Sequence, residues 1–196
     1  MYKHLYDCFT HWFHENRGGV WFYSDPHFCD EEMKYIRKDY IGDQEQVDRI
    51  NSVIGKYDTL VILGDIGDPT WLGKLKGYKV LILGNHDRGA NIYKPYVDEV
   101  YEGILTISDK IVLSHEPIVD KYHINVHGHS HSAPYHIDEQ HFNCCAEIIN
   151  YKPVALKTIV NSGVLNKIHS IHQDVIENAK NRELNTNGHH FVETLY

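Results

Sequence analysis

Thr59-Leu60-Val61-Ile62-Leu63-Gly64-Asp65-Ile66-Gly67-Asp68 decides how this chain is read. Its first five residues are apolar or β-branched, the pattern of a strand buried on both faces. The run then stops on a glycine and a carboxylate. The same arrangement recurs where Val80-Leu81-Ile82-Leu83 meets Gly84-Asn85-His86-Asp87. Val20-Trp21-Phe22-Tyr23 ends at Ser24-Asp25-Pro26-His27, and Ile111-Val112-Leu113 ends at Ser114-His115-Glu116-Pro117. Ile124-Asn125-Val126 leads into Gly128-His129-Ser130-His131. In open α/β sheets, sites form beyond the carboxyl ends of strands, so the five polar clusters are expected to converge on one rim. The pattern predicts an α/β fold.

Those clusters supply Asp25, His27, Asp65, Asn85, His115, His129 and His131 as candidate metal ligands. His129 and His131 are two apart in an extended segment and therefore face the same way, with Gly128 letting the backbone come close. Carboxylate, imidazole and amide oxygen without cysteine suit Mn²⁺, Fe, Zn²⁺, Co²⁺ or Ni²⁺. Seven ligands exceed the needs of one ion that leaves room for substrate, but fit two ions sharing a carboxylate. A two-metal centre of this kind clamps the attacking and leaving oxygens of an in-line displacement at phosphorus.

The chain has 196 residues, 42% hydrophobic and 23% charged, as expected for one folded domain spanning residues 1–196. Its formal net charge of −8 argues against an extensive nucleic-acid or acidic-membrane surface. Four cysteines show no zinc-type spacing, and the adjacent Cys144 and Cys145 make a poor disulfide pair. No signal peptide or membrane-length apolar run is evident, which predicts a cytoplasmic protein. Sixteen histidines are the one compositional excess.

Tyr2, Leu5, Tyr6, Phe9, Trp12 and Phe13 recur at helical spacing. Residues 1–17 are therefore expected to form a helix packed on the outside of the domain, and its aromatic face is also a candidate docking surface. Residues 30–40 read as a solvated helix or long loop. Asp43 reads as an N-cap with Gln46 at the capping-box position, and Gly55 ends that helix. A short helix is expected from Pro69 to Lys76, a hairpin around Ser108-Asp109-Lys110, and a strand over 142–149. Residues 155–181 read as one helix burying Leu165, Ile168, Ile171, Val175 and Ala179, before a tail over 182–196.

Asp25-x-His27, Gly64-Asp65-x-x-Asp68, Gly84-Asn85-His86-Asp87, His115 and Gly128-His129-x-His131, in that order, resemble the calcineurin-like metallophosphoesterase signature. The match runs from about residue 20 to 131. Asn150-Tyr151-Lys152-Pro153-Val154 also resembles the small single-domain bacterial and phage members. The resemblance implies a four-layer α/β/β/α sandwich of two mixed sheets flanked by helices. It implies one ion on Asp25, His27, Asp65 and His131, and a second on Asp65, Asn85, His115 and His129. His86 would meet the phosphate and protonate the leaving oxygen, with Asp68 hydrogen-bonded to it as its aiming partner. Asn85, His86 and Arg88 would contact substrate. Two departures stand out: Pro26 occupies a position that is often Thr, and Phe28-Cys29-Asp30 replaces a common Gly-His continuation. Cys29 is expected to be a passive buried thiol, His127 a structural residue, and Asp87 the holder of its loop.

The implied activity is hydrolysis of small phosphodiesters, such as cyclic nucleotides, by in-line attack of a hydroxide bridging the metals. The same centre also serves phosphomonoesterases and nucleotide pyrophosphatases, and the same fold serves non-catalytic scaffolds.

Overall fold

The computed structural model describes residues 5–37, 39–136 and 138–186. Tyr2 of the N-terminal stripe and residues 187–196 of the expected tail lie outside them. Two mixed sheets carry the fold. The first has the order β4-β3-β2-β1-β9, from Glu99–Tyr101, Tyr78–Ile82, Thr59–Ile62, Val20–Tyr23 and Val154–Ala155. Its first four strands run parallel and β9 runs antiparallel to β1. The second has the order β5-β6-β7-β8, from Leu105–Ser108, Ile111–Leu113, Ile124–His127 and His141–Asn143. There β5 and β6 form the expected hairpin, while β6, β7 and β8 are parallel.

Strand alternation explains the layering. Val61 and Leu63, with Val20, Phe22, Val80 and Ile82, pack against Ile111, Leu113, Ile124, Val126 and Phe142 of the second sheet. Leu60 and Ile62 point the other way, onto Val47 and Ile50 of helix α2 (Asp43–Val53) and onto Leu72. Each β2 residue is thus buried on one face or the other. Away from that core the second sheet buries Val112 beside the polar Asn125 and His127. There Asn125 accepts a hydrogen bond at 2.9 Å from the N–H of Ile118, in the loop that follows β6.

Several local expectations are corrected. The N-terminal element is a 3-10 helix, Asp7–Asn16, whose His14 and Glu15 have φ of 40° and 57°. Leu5, Phe9 and Trp12 belong to the core between the sheets, and Trp12 is fully buried with its Nε1 donating to Glu99 at 3.1 Å. These three residues of the stripe are therefore core, whereas Tyr6 is 44% exposed. Trp12→Ala is expected to cost about 3–5 kcal/mol in a denaturant titration. A loss under about 1 kcal/mol would show that this segment only decorates the domain.

Gly42, not Asp43, sits at the N-cap of α2. Asp43 instead accepts from the Cys29 N–H and the Tyr40 hydroxyl, and Gln46 turns inward to the Tyr23 hydroxyl and the Pro26 carbonyl. Within residues 30–40, α1 (Met33–Ile36) is followed by Arg37, which is only 3% exposed. Pro69–Lys74 is 3-10, shorter than expected. The strand ending at Asn143 stops because the Asn143 side chain takes the Cys145 N–H, turning the chain.

The long C-terminal helix is two helices, α3 (Leu156–Asn161) and α4 (Ile171–Thr186), broken at Gly163 with φ of 80°. Leu165 and Ile168 are buried as expected, but Ile171 and Val175 are 50% and 59% exposed and Ala179 is exposed too. Between the two helices lies a 3-10 turn, Val164–Asn166, and α4 runs on to Thr186, into the stretch expected to be tail. No helix among the described residues is long and apolar enough to cross a membrane.

Candidate metal centre

Parallel strands put all five clusters on one rim. Backbone bonds then lace the loops together: Asp25 N to Gly64 O at 3.0 Å, His27 N to Asp65 O at 3.0 Å, and Gly128 N to His115 O at 2.9 Å. The Asp25 carboxylate crosses between sheets, its Oδ2 accepting from the His129 N–H at 2.9 Å.

The seven expected ligands come together in two groups. In the first, His27 Nε2 is 3.8 Å and His131 Nε2 is 3.5 Å from Asp25 Oδ1. In the second, His115 Nε2 lies 2.8 Å from Asn85 Oδ1, and His129 Nδ1 lies 3.1 Å from that oxygen and 3.2 Å from His115 Nε2. Asp65 Oδ2 belongs to both, at 3.6 Å from His27 Nε2 and 3.3 Å from His115 Nε2. Ligand bonds of about 2.1 Å separate neighbouring donors by about 3.0–3.4 Å in octahedral or tetrahedral geometry. The second group lies at about that spacing and the first is a few tenths of an ångström wider, so small closing movements would seat one cation in each.

Asp25 Oδ1 and His27 Nε2 are buried with no hydrogen-bond partner. Leaving such atoms unsatisfied is costly, and a cation between them would remove the cost. The outer bonds agree. His115 Nδ1 meets the Leu63 carbonyl at 2.7 Å, His131 Nδ1 meets Glu147 Oε1 at 2.7 Å, and His27 Nδ1 is 3.4 Å from Asp30. Imidazoles that ligate metals are held through their other nitrogen in this manner. Asp65 likewise gives Oδ1 to the His86 N–H at 2.9 Å and keeps Oδ2 for the centre.

The local backbone is strained. Asp25, His27, Asp65 and His129 have φ of 56°, 46°, 56° and 63°. Non-glycine residues pay about 1–3 kcal/mol each for such conformations, and strain of this kind clusters at functional sites. Gly128 is required by close approach: a Cβ there would lie 1.9 Å from Ser24 Oγ and 2.3 Å from Asp25 Oδ2. Gly64, with φ of 92°, would put a Cβ 2.7 Å from His115 Nδ1. Asp87 holds its loop as expected, accepting from the N–H groups of Asp65, Ile66 and Gly84 and from the Tyr93 hydroxyl.

The charges are mutually dependent. Burial disfavours the charged form of Asp25, but the nearby imidazoles of His27, His115 and His131 outweigh it, leaving the carboxyl below its ordinary range. Asp65 is lowered in the same way, chiefly by His115 against burial. Burial lowers the His115 pKa, yet Asp65 and Asp25 raise it to about 9. Protons on that ring and a cation compete for the same nitrogen, as expected of a metal ligand.

Beside the centre lies a cleft of about 640 Å³, lined by His27, Cys29, Asp68, His86, Arg88 and Tyr93 among others. His86 and Arg88 are exposed there, and the His86 ring stands 5.8 Å from that of His27. Two expectations fail. Asp68 does not hydrogen-bond His86; its carboxylate caps the 3-10 turn through the Thr70 N–H and hydroxyl at 2.9 and 2.8 Å. Cys29 is exposed rather than buried, its Sγ accepting from Trp71 Nε1 at 3.1 Å. His127 is structural, wholly buried with Nδ1 at 2.8 Å from the Gly128 carbonyl. Arg37 and Glu147 are the residues that motif reading missed. Only an arginine in a stretch read as solvated, and a lone glutamate after two cysteines, marked them in the sequence.

No family model matches the chain. It is 30% identical to the Gene 66 protein of Mycobacterium phage L5 over 59% of this chain and 78% of the phage protein. A solved structure, the protein of unknown function AQ665 from Aquifex aeolicus, superposes with a TM-score of 0.60 at 26% identity, covering 74% of this chain and 99% of that one. The uncharacterized protein MJ1445 of Methanocaldococcus jannaschii is 30% identical over 72% of this chain and 89% of its own length. The chain belongs to the family of MJ1445.

Proposed function

We propose that this chain is a dinuclear metal-dependent phosphoesterase acting on small phosphodiesters, built on a four-layer sandwich of the metallophosphoesterase type. The observation that carries the reading is the position of Asp65 Oδ2 between two donor groups, 3.6 Å from His27 Nε2 and 3.3 Å from His115 Nε2. Two divalent ions held there would supply Lewis-acid charge at phosphorus and a water of lowered pKa.

The remaining work falls to side chains. His86, held by its own N–H on Asp65, presents an exposed imidazole at the edge of the centre. There it donates a proton or hydrogen bond to a phosphoryl or leaving oxygen. Arg88 on the cleft wall meets a phosphate oxygen. Asp30, Glu31 and Asp68 on that wall oppose a second phosphate. This disfavours polynucleotides and favours a substrate with one phosphate and a neutral remainder. All four cysteines are free thiols, in keeping with a reducing, cytoplasmic setting.

The test is turnover by metal-depleted protein reloaded with Mn²⁺, using an aryl phosphodiester, an aryl phosphomonoester and cyclic nucleotides. The diesters are expected to be hydrolysed faster than the monoester. Equal or faster monoester turnover overturns the diester preference. Two bound ions with no hydrolysis of any ester makes the chain a scaffold instead.

A further inference from the structure

Arg37 has an environment that stability alone does not explain. Its side chain is 1% exposed, and it is ion-paired at 3.2 Å to Glu147, itself only 14% exposed. Burying an arginine–glutamate pair gains little over apolar residues of the same volume, because both charges must leave water. The pair's contacts all lead to one place. Arg37 Nη2 donates to the Asp25 carbonyl at 2.5 Å, while Glu147 Oε1 meets His131 Nδ1 at 2.7 Å. Asp25 and His131 are two donors of the same group, with Nε2 of His131 facing Asp25 Oδ1 at 3.5 Å.

We infer that Arg37 and Glu147 are positioning residues that set how tightly the first cation site holds its ion, leaving the second site to its own supports. This rests on the dinuclear reading above. Glu147 accepts the Nδ1 proton of His131, which fixes the tautomer and keeps the Nε2 lone pair on the centre. Arg37 fixes the carboxylate on its other side and holds the Asp25 carbonyl, whose residue has a strained φ of 56°. Among the described residues, neither one hydrogen-bonds or ion-pairs with Asn85, His115 or His129, and His115 leans on the Leu63 carbonyl instead.

His131, Cys145 and Glu147 also stand close enough together to suggest a cation site of their own. Cys145, however, donates its thiol to Asp25 Oδ2 at 3.2 Å, and burial keeps that thiol protonated. Glu147 therefore serves the Asp25 group and does not compete with it.

The experiment titrates metal-free wild type, Glu147→Ala, Glu147→Gln and Arg37→Lys with Mn²⁺ and Co²⁺. Calorimetry and the visible absorption of bound Co²⁺ follow the sites separately, and circular dichroism of the metal-free proteins checks folding. Wild type is expected to bind two ions. Glu147→Ala should weaken one site by about 10–100-fold and leave the other unchanged. Glu147→Gln, which keeps the shape and an acceptor oxygen, should lose less, as should Arg37→Lys. If Glu147→Ala does not fold, the near-isosteric Gln variant carries the same comparison. Both sites retained at wild-type affinity, or both weakened equally, overturns the inference. A wild type that binds no ion overturns the dinuclear reading itself.

Discussion

Asp65→Asn is expected to yield a folded protein that retains neither ion and has lost turnover by about a thousandfold or more. The size follows from the several kcal/mol of charge stabilisation that a metal centre contributes, at 1.36 kcal/mol per tenfold in rate. The direction follows from how the two carboxylate oxygens are used. Oδ1 accepts the His86 N–H at 2.9 Å, and Oδ2 faces both donor groups. An asparagine satisfies the first contact with its amide oxygen. Its NH₂ must then point at His27 and His115, where it repels a cation. The measurement is metal content by mass spectrometry after gel filtration, beside the diester rate. Wild-type metal content in this variant would remove the shared carboxylate from the centre and the dinuclear reading with it.

His86→Ala should behave in the opposite way with respect to metal. No ligand atom is removed, and the Asp65 contact survives because the backbone N–H makes it. Two ions are therefore expected to remain. The rate should fall by about 10²–10⁴-fold, the usual contribution of a positioned proton donor. The fall should be steeper for an alkyl than for an aryl leaving group, because a good leaving group needs less protonation. Equal losses for both would mean that His86 binds the phosphate without assisting departure. Loss of metal would mean that it is a ligand after all. Aiming of His86 falls to its backbone bond with Asp65, since Asp68 gives its carboxylate to Thr70.

Residues close in sequence were legible where one rule governed them. The strand Thr59–Ile62 is buried on both faces because its one polar side chain, Thr59, donates to the Trp12 carbonyl and the rest are apolar, and Asp65 follows beyond its carboxyl end. The stripe through Ile171 and Val175 misled for a related reason. Helical spacing marks an apolar face without saying whether anything covers it, and the face of α4 is left exposed although Leu165 and Ile168 before it are buried. Asp43 and Gln46 fit a capping box by spacing, but a buried Tyr23 hydroxyl needed the Gln46 amide more. Asp68 was assigned to His86 by motif, and the nearer Thr70 N–H took it.

By itself, the sequence determined where the central strands run, the five polar clusters at their ends and the seven side chains to look for there, because periodicity and strand termini are written locally in the chain. The resemblance already made Asp65 the shared residue; only the tertiary structure decided that its Oδ2 is the oxygen between the two groups, and that Arg37 and Glu147, 110 positions apart, adjoin one of them. Those facts depend on how loops from different strands approach one another through left-handed backbone and glycine contacts, and no local pattern encodes such approaches.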